Sequence, residues 1–237
     1  SSGLVPNHLG TSRLGCTYWI RLTMKKARVT EANRTKGQPK SRTIKRSTKG
    51  NYISSGTGTL LFGCRATCAK LVIYHTRRPP TKRFQQAKGR VTPSPSWVPK
   101  TIAQCSNDWF KIFSIAAKIS KPFSSCACST WQDYRDTQLL TRDGNELMVF
   151  GSDRLLPSSK VGAKAVHIIM GKDVASSMKG LPTAHLSPLL LRGVPANKRS
   201  LVSKSHRLLQ TPYFDFRQMS NVHVSALVKH ISALLDS

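Results

Sequence analysis

The sequence predicts an α+β protein: a small mixed domain with two amphipathic helices and a short antiparallel sheet, preceded by a basic, largely irregular amino-terminal arm. Three observations predict it. Carboxylates are nearly missing from the first hundred residues, where Glu31 stands against twenty-one lysines and arginines, a net charge of +20. Residues 101–237 hold the other nine acids and seventeen bases, a net of +8, which completes the total of +28. Helical periodicity is clear at 107–121 and 221–236, and Asp143-Gly144-Asn145 separates two apolar stretches as a hairpin turn would.

Residues 1–58 read as the arm. Within it, 24–58 carry only a few separated apolar side chains, too few to offset about 1–2 kcal/mol of backbone entropy per ordered residue. Gly37, Pro39, Gly50, Gly56 and Gly58 interrupt any helix there. Residues 59–76 form the first core segment. Its β-branched and aromatic end, 71–76, predicts a strand, and 60–62 predict a second; 64–70 fit either class. Residues 77–100 contain Pro79, Pro80, Pro93, Pro95 and Pro99, and predict an extended basic connector without helix. The small α+β domain is then built mainly from 101–237.

In 107–121, Trp109, Phe110, Ile112, Phe113, Ala116 and Ile119 share one face, with Lys111, Ser114, Lys118 and Lys121 opposite. Ser106 is placed to cap this helix and Pro122 to end it. Its apolar arc is no wider than a core helix needs, so packing outweighs a membrane-surface reading. Residues 137–142 and 146–150 predict the hairpin strands, 161–170 another strand, and 173–179 one or two helical turns closed by Gly180 and Pro182. In 221–236, Val224, Leu227, Val228, Ile231, Leu234 and Leu235 make a clean apolar stripe behind a Ser220 cap, with His223 and His230 at its border as amphipathic surface.

The one-signed charge calls for a polyanionic partner. Candidate nucleic-acid contacts in the arm are Lys25, Lys26, Arg28, Arg34, Lys36, Lys40, Arg42, Lys45, Arg46 and Lys49. At about 3.3 Å per extended residue their spacing is comparable with that of phosphates along a strand. Arg77, Arg78, Lys82, Arg83, Lys88 and Arg90 form a second cluster around Phe84 and ahead of Trp97. It adds charge more than specificity, because the interleaved aromatics of an RRM are missing.

Catalytic and metal signatures are weak. No G-x-S-x-G, H-E-x-x-H or P-loop pattern occurs, and Ser55-Gly56-Thr57-Gly58-Thr59 lacks the lysine of a phosphate loop. Cys64, Cys68, Cys105, Cys126 and Cys128, with His75, supply soft ligands, but C-x₃-C and C-x-C are poor zinc spacings, and buried small hydrophobes are the better reading. Asp133, Asp136 and Asp143 match no calcium loop and read as solvated surface. No cofactor is expected.

No run approaches the roughly 18 apolar residues of a membrane span, and no apolar leader segment opens the sequence. An intracellular site is expected over secretion, and the Arg- and Ser-rich, acid-poor start is compatible with import into an organelle such as the mitochondrion. The expected function is non-catalytic: RNA or other nucleic-acid binding, as a structural component of a ribonucleoprotein such as a ribosome, with RNA and neighbouring proteins as partners. The alternative is a poorly specified or recently arisen protein without a dedicated activity, which the scattered prolines and weak periodicity would suit.

Overall fold

Short runs in which every residue is buried, rather than runs alternating between core and solvent, carry the architecture. In the computed structural model, which describes residues 58–190 and 194–237, Leu71–His75 (β2), Glu146–Phe150 (β4) and Val166–Met170 (β5) are buried along their whole length. Strands covered on both faces belong inside a parallel sheet. That is how they pair: β4 with β2, β2 with β5, and β5 with Leu208–Thr211 (β8), all parallel. Leu60–Gly63 (β1) adds antiparallel to β4, and Gly89–Val91 (β3) adds parallel to β1. Leu201–Ser203 (β7) and Ser187–Pro188 (β6) extend the opposite side antiparallel. The result is one eight-stranded mixed sheet in the order β3-β1-β4-β2-β5-β8-β7-β6. Both edges are short, and one carries Arg90 and the other Pro188, which blunts further pairing.

Six α-helices accompany the sheet among the described residues: Lys82–Gln86 (α1), Trp97–Gln104 (α2), Asn107–Ser120 (α3), Trp131–Thr137 (α4), Lys172–Ser177 (α5) and Asn221–Asp236 (α6). The side-chain period of two sorts each strand onto two cores. Leu71, Ile73, Met148, Phe150, Val166, Ile168, Met170 and Leu209 pack with α2, α3, α4 and α6. Val72, Tyr74, Leu147, Val149, Ile169 and Leu208 meet Val174 and Met178 around α5 and the 151–165 loop. That loop is pinned to the sheet by Tyr74, whose hydroxyl accepts from the Leu156 N–H (2.9 Å) and lies 2.8 Å from His167 Nδ1. Phe62, Phe84 and Trp97 stack within 4.6–4.8 Å of one another and seal the β1 end of the helical face.

The helices near 107–121 and 221–236 form within a residue of the predicted limits. Ser220 caps α6 by accepting from the His223 N–H, whereas Ser106 makes no side-chain cap to α3. The sheet departs from expectation. A small domain with a short antiparallel sheet is replaced by eight strands with a parallel centre, because β4 pairs with β1 and β2 rather than with 137–142. Residues 77–100 hold α1 and the start of α2. Pro99 sits in the first turn of α2, where the N–H groups lack intrahelical partners and proline costs little. His223 is buried and lies 3.0 Å from Ser200 Oγ, rather than lining a surface border. The predicted arm, apart from its last residue Gly58, lies outside the described residues.

Glu146 explains why the Asp-Gly-Asn turn makes no hairpin. Its fully buried carboxylate accepts from Tyr134 on α4 (2.7 Å), from the Asn145 N–H (3.2 Å) and from the Leu140 N–H. Leu140 has φ 63°, a left-handed conformation rare for leucine, and this bond helps to hold it. Beside them Gly63, at φ 136°, leaves room that a side chain would take from the Glu146 carbonyl oxygen. Burial pushes the Glu146 pKa up, against the pull of its donors. Glu146→Gln turns an amide NH₂ toward these donors and is expected to lower the unfolding free energy by about 2–3 kcal/mol. The raised pKa means that the folded state holds this proton more tightly. The contribution is therefore full below the ordinary value of 4.5 and fades as pH rises through the folded value. Urea melts of both forms should show a larger difference at pH 4.5 than at pH 8; a larger difference at pH 8 would contradict the assignment.

Candidate anion-binding cleft

The chain leaves β2 and β5 in opposite directions. After β2 it enters the helices of one face and returns as β4 on one side. After β5 it enters α5 on the other face and returns as β8 on the other side. Connections that diverge in this way open a crevice outside the carboxyl ends of the two strands, the usual ligand position in open α/β sheets. A cleft of 740 Å³ lies there. It is lined by the ends of β2 (His75, Thr76, Arg77), β5 (Met170, Gly171, Lys172, Asp173) and β8 (Thr211, Pro212, Tyr213). Gly171 has φ 90°, and this left-handed turn brings Lys172 and Asp173 to the opening.

Arg77, Lys172, Arg199 and Arg217 give the lining four cations, against Asp108, Asp173 and Asp215. Asp215 is committed within the protein. Its carboxylate accepts from Lys111 Nζ (2.9 Å), from the Arg217 backbone N–H (2.8 Å), and from Arg217 Nε and NH2 at 3.2 and 3.1 Å. Its side chain is 6 % exposed, whereas that of Arg217 is 86 % exposed. The buried carboxylate thus acts as the fixed end of an exposed guanidinium. These hydrogen bonds, those from Arg217 first, hold the Asp215 pKa well below the ordinary carboxylate range.

The turn carrying both residues is knit to the helices. Phe216 packs edge-on to Phe110 at 6.3 Å, and Lys118 lies 5.4 Å from the Phe216 ring and 4.7 Å from the Trp131 ring. Arg135 completes the ladder over Trp131 and Phe110. Such cation–π contacts contribute roughly 0.5–1 kcal/mol each at exposed sites. Together they keep this wall of the cleft in register with α3 and α4.

His75 closes the floor. It is 3 % exposed, with Nδ1 2.8 Å from both the N–H and the carbonyl of Arg77 and Nε2 3.4 Å from the Tyr213 hydroxyl. Burial lowers its pKa to about 4, so the ring is neutral at pH 7. Trp109 and Tyr213 flank it at 5.3 and 5.7 Å between ring centres. A neutral, aromatic floor below a cationic rim suits a ligand with a planar part and an anionic part.

Of the sixteen candidate nucleic-acid contacts, the ten in the arm lie outside the described residues. Arg77 lines the cleft. Arg78 is a strut, donating to the carbonyls of Ala87 and Gly58 (both 2.8 Å) and Phe84 (3.3 Å). Arg83 covers the Trp97 ring at 4.3 Å. Lys82, Lys88 and Arg90 are exposed along α1 and the β3 edge. Lys172, Arg199, Tyr213, Asp215 and Arg217 were not singled out by sequence reasoning. Lys172, Tyr213, Asp215 and Arg217 follow the apolar strands β5 and β8 and Arg199 precedes β7, and the strand order decides that they meet. Among the described residues no group of three or more His, Cys, Asp or Glu side chains is placed to hold a metal, and no helix is long and apolar enough to cross a membrane. Cys64 is buried, and burial pushes its thiol up to about 12.

Asp215→Asn is expected to loosen Arg217 and to lower the urea midpoint at pH 7. Because the Asp215 pKa is lowered, its contribution is present above the ordinary value of 3.8 and lost as pH falls toward the folded value. The gap between wild type and variant should therefore stay constant from pH 7 to about pH 5 and narrow below 3.8. A gap that widens in acid would contradict this role.

No curated protein and no solved structure matches the chain significantly. A family of unknown function, DUF6942, matches residues 62–232, a span that includes every residue of the cleft. That span is well over half of the chain, and the protein belongs to this family.

Proposed function

We propose that the protein binds a phosphorylated ligand of the nucleotide class in the cleft between β2 and β5. The observation that carries this reading is the placement of Lys172, Arg199, Arg217 and Arg77 around a crevice at the carboxyl ends of parallel strands, above a neutral His75–Tyr213 floor. The cations favour phosphate, and the aromatic floor favours a planar base. The volume lies within the range of about 300–1,000 Å³ common to small-molecule sites. The role is binding without catalysis: the two buried titratable groups are committed within the protein, His75 to Arg77 and Tyr213 and Asp215 to Lys111 and Arg217.

The charge distribution favours a second, polymeric form of the same chemistry. A net +20 over the first hundred residues suits RNA better than a single nucleotide. In that form the protein is an RNA-associated component of a ribonucleoprotein, and the cleft holds one nucleotide of the strand.

Titration calorimetry on the full chain separates these forms. A nucleoside monophosphate is expected to bind and the nucleoside without phosphate to bind at least about tenfold more weakly, because each charge-assisted contact contributes on the order of 1.5–3 kcal/mol. Lys172→Ala with Arg199→Ala should abolish most of the difference. For a single-stranded RNA, the nucleotide in the cleft predicts a slope of log K against log salt of about −0.7 for each phosphate neutralised there, and additional contacts from the arm a steeper one. Equal affinity for nucleoside and nucleotide, together with a flat salt dependence for RNA, would overturn the reading.

A further inference from the structure

The turn after β8 carries Phe216 between two residues of the cleft, Asp215 and Arg217. Among the described residues, Phe216 alone of the phenylalanine, tyrosine and tryptophan side chains is exposed, at 40 %. An exposed apolar side chain by itself marks nothing; the setting of this one does. Its turn is fixed from several directions. The Gln218 and Met219 N–H groups both donate to the Asp215 carbonyl at 2.8 Å, and the Tyr213 N–H donates to Gln218 Oε1 at 3.2 Å. Lys198 Nζ donates to the Arg217 carbonyl at 2.7 Å.

The neighbourhood of the ring is basic. Lys118 Nζ lies 5.4 Å from the Phe216 ring centre and is itself held by Asn221 Oδ1, to which it donates at 2.8 Å. Beyond it the partly buried rings of Trp131 and Phe110 alternate with Lys118 and Arg135. The nearby carboxylates are already engaged: Asp215 by Lys111 and Arg217, and Asp136 by Arg135 at 2.7 Å. Aromatic faces set among cations are how proteins hold single-stranded nucleic acid, with the cations following the backbone and the rings stacking the bases. The surface is continuous with the cleft through Asp215 and Arg217, and the net charge of +28 suits the same polyanion.

On the reading that the cleft takes a nucleotide, we propose that Phe216 stacks the base of the adjoining nucleotide, so that the ligand is a single strand crossing the 213–219 turn. Arg217, the next residue along the chain, neutralises the phosphate that joins the two nucleotides. A paired duplex keeps its bases stacked on one another and offers none to the ring, so the site selects unpaired strands.

Titration calorimetry on the full chain tests this with adenosine monophosphate, adenosine 3′,5′-bisphosphate and the dinucleotide pApA. The bisphosphate supplies the additional phosphate without the second base. The dinucleotide is expected to bind at least about fivefold tighter than the bisphosphate, the lower end for one stacked base. Phe216→Leu keeps an apolar contact with Phe110 but loses the flat face, and should abolish that difference. Phe216→Trp should preserve or enlarge it. The comparison is made within each variant, so a displaced turn that weakens both ligands together does not imitate loss of stacking. A preference for the dinucleotide that survives Phe216→Leu would overturn the proposal. Equal affinity of the wild type for dinucleotide and bisphosphate, with the monophosphate still bound, would also overturn it and leave the cleft reading standing. Failure of the monophosphate to bind would remove the cleft reading and this inference with it.

Discussion

The parallel pairing of β2 with β5 is the constraint on which the rest of the molecule depends. The two strands align from Leu71 with Val166 to Tyr74 with Ile169, each residue buried on one face or the other. Fully burying a Leu, Ile or Val side chain contributes roughly 1.5–3 kcal/mol, so a slip of one residue, which would send every side chain to the wrong core, is strongly disfavoured. With the register set, the two chain exits diverge to opposite faces, and the crevice between them follows from topology rather than from any local motif. Glu146 does the matching task at the amino end of β4, where one buried carboxylate organises the turn, α4 and the strand start together.

Electrostatics then decide what the crevice can hold. The described part of the chain has few acids, and the acid that matters most to the cleft, Asp215, is spent on fixing Lys111 and Arg217. A buried carboxylate that already carries its hydrogen bonds leaves the surrounding field positive and its guanidinium pre-oriented. His75 adds no charge, because burial keeps it neutral. The cleft therefore combines a cationic rim with an uncharged aromatic floor, both drawn from the end of β2 and the segments that follow β2, β5 and β8 and precede β7.

Much of the secondary structure was legible locally. The stripes of α3 and α6 and the β-branched run of β2 each carry their period in adjacent residues, and they form where the pattern places them. What failed was long-range. Asp143-Gly144-Asn145 has hairpin chemistry, yet the turn is governed by Glu146 and β4 finds partners more than seventy residues upstream, at β1 and β2. The prolines of 77–100 excluded a helix only on the assumption that they fall inside one, and Pro99 falls in a first turn. Arg77 was found through its charged neighbours. Tyr213, Asp215 and Arg217 carry no such mark, and only the order of the strands brings them beside His75.

The claim that a phosphorylated ligand sits at the diverging ends of β2 and β5 is tested most directly by hydrogen–deuterium exchange of the full chain with and without a saturating nucleoside monophosphate. The account predicts slower exchange at residues 75–77, 171–173 and 212–218 together, with the β3 edge and the 151–165 loop unchanged. Protection confined to other segments, or none at a ligand concentration that calorimetry shows to be saturating, would contradict it.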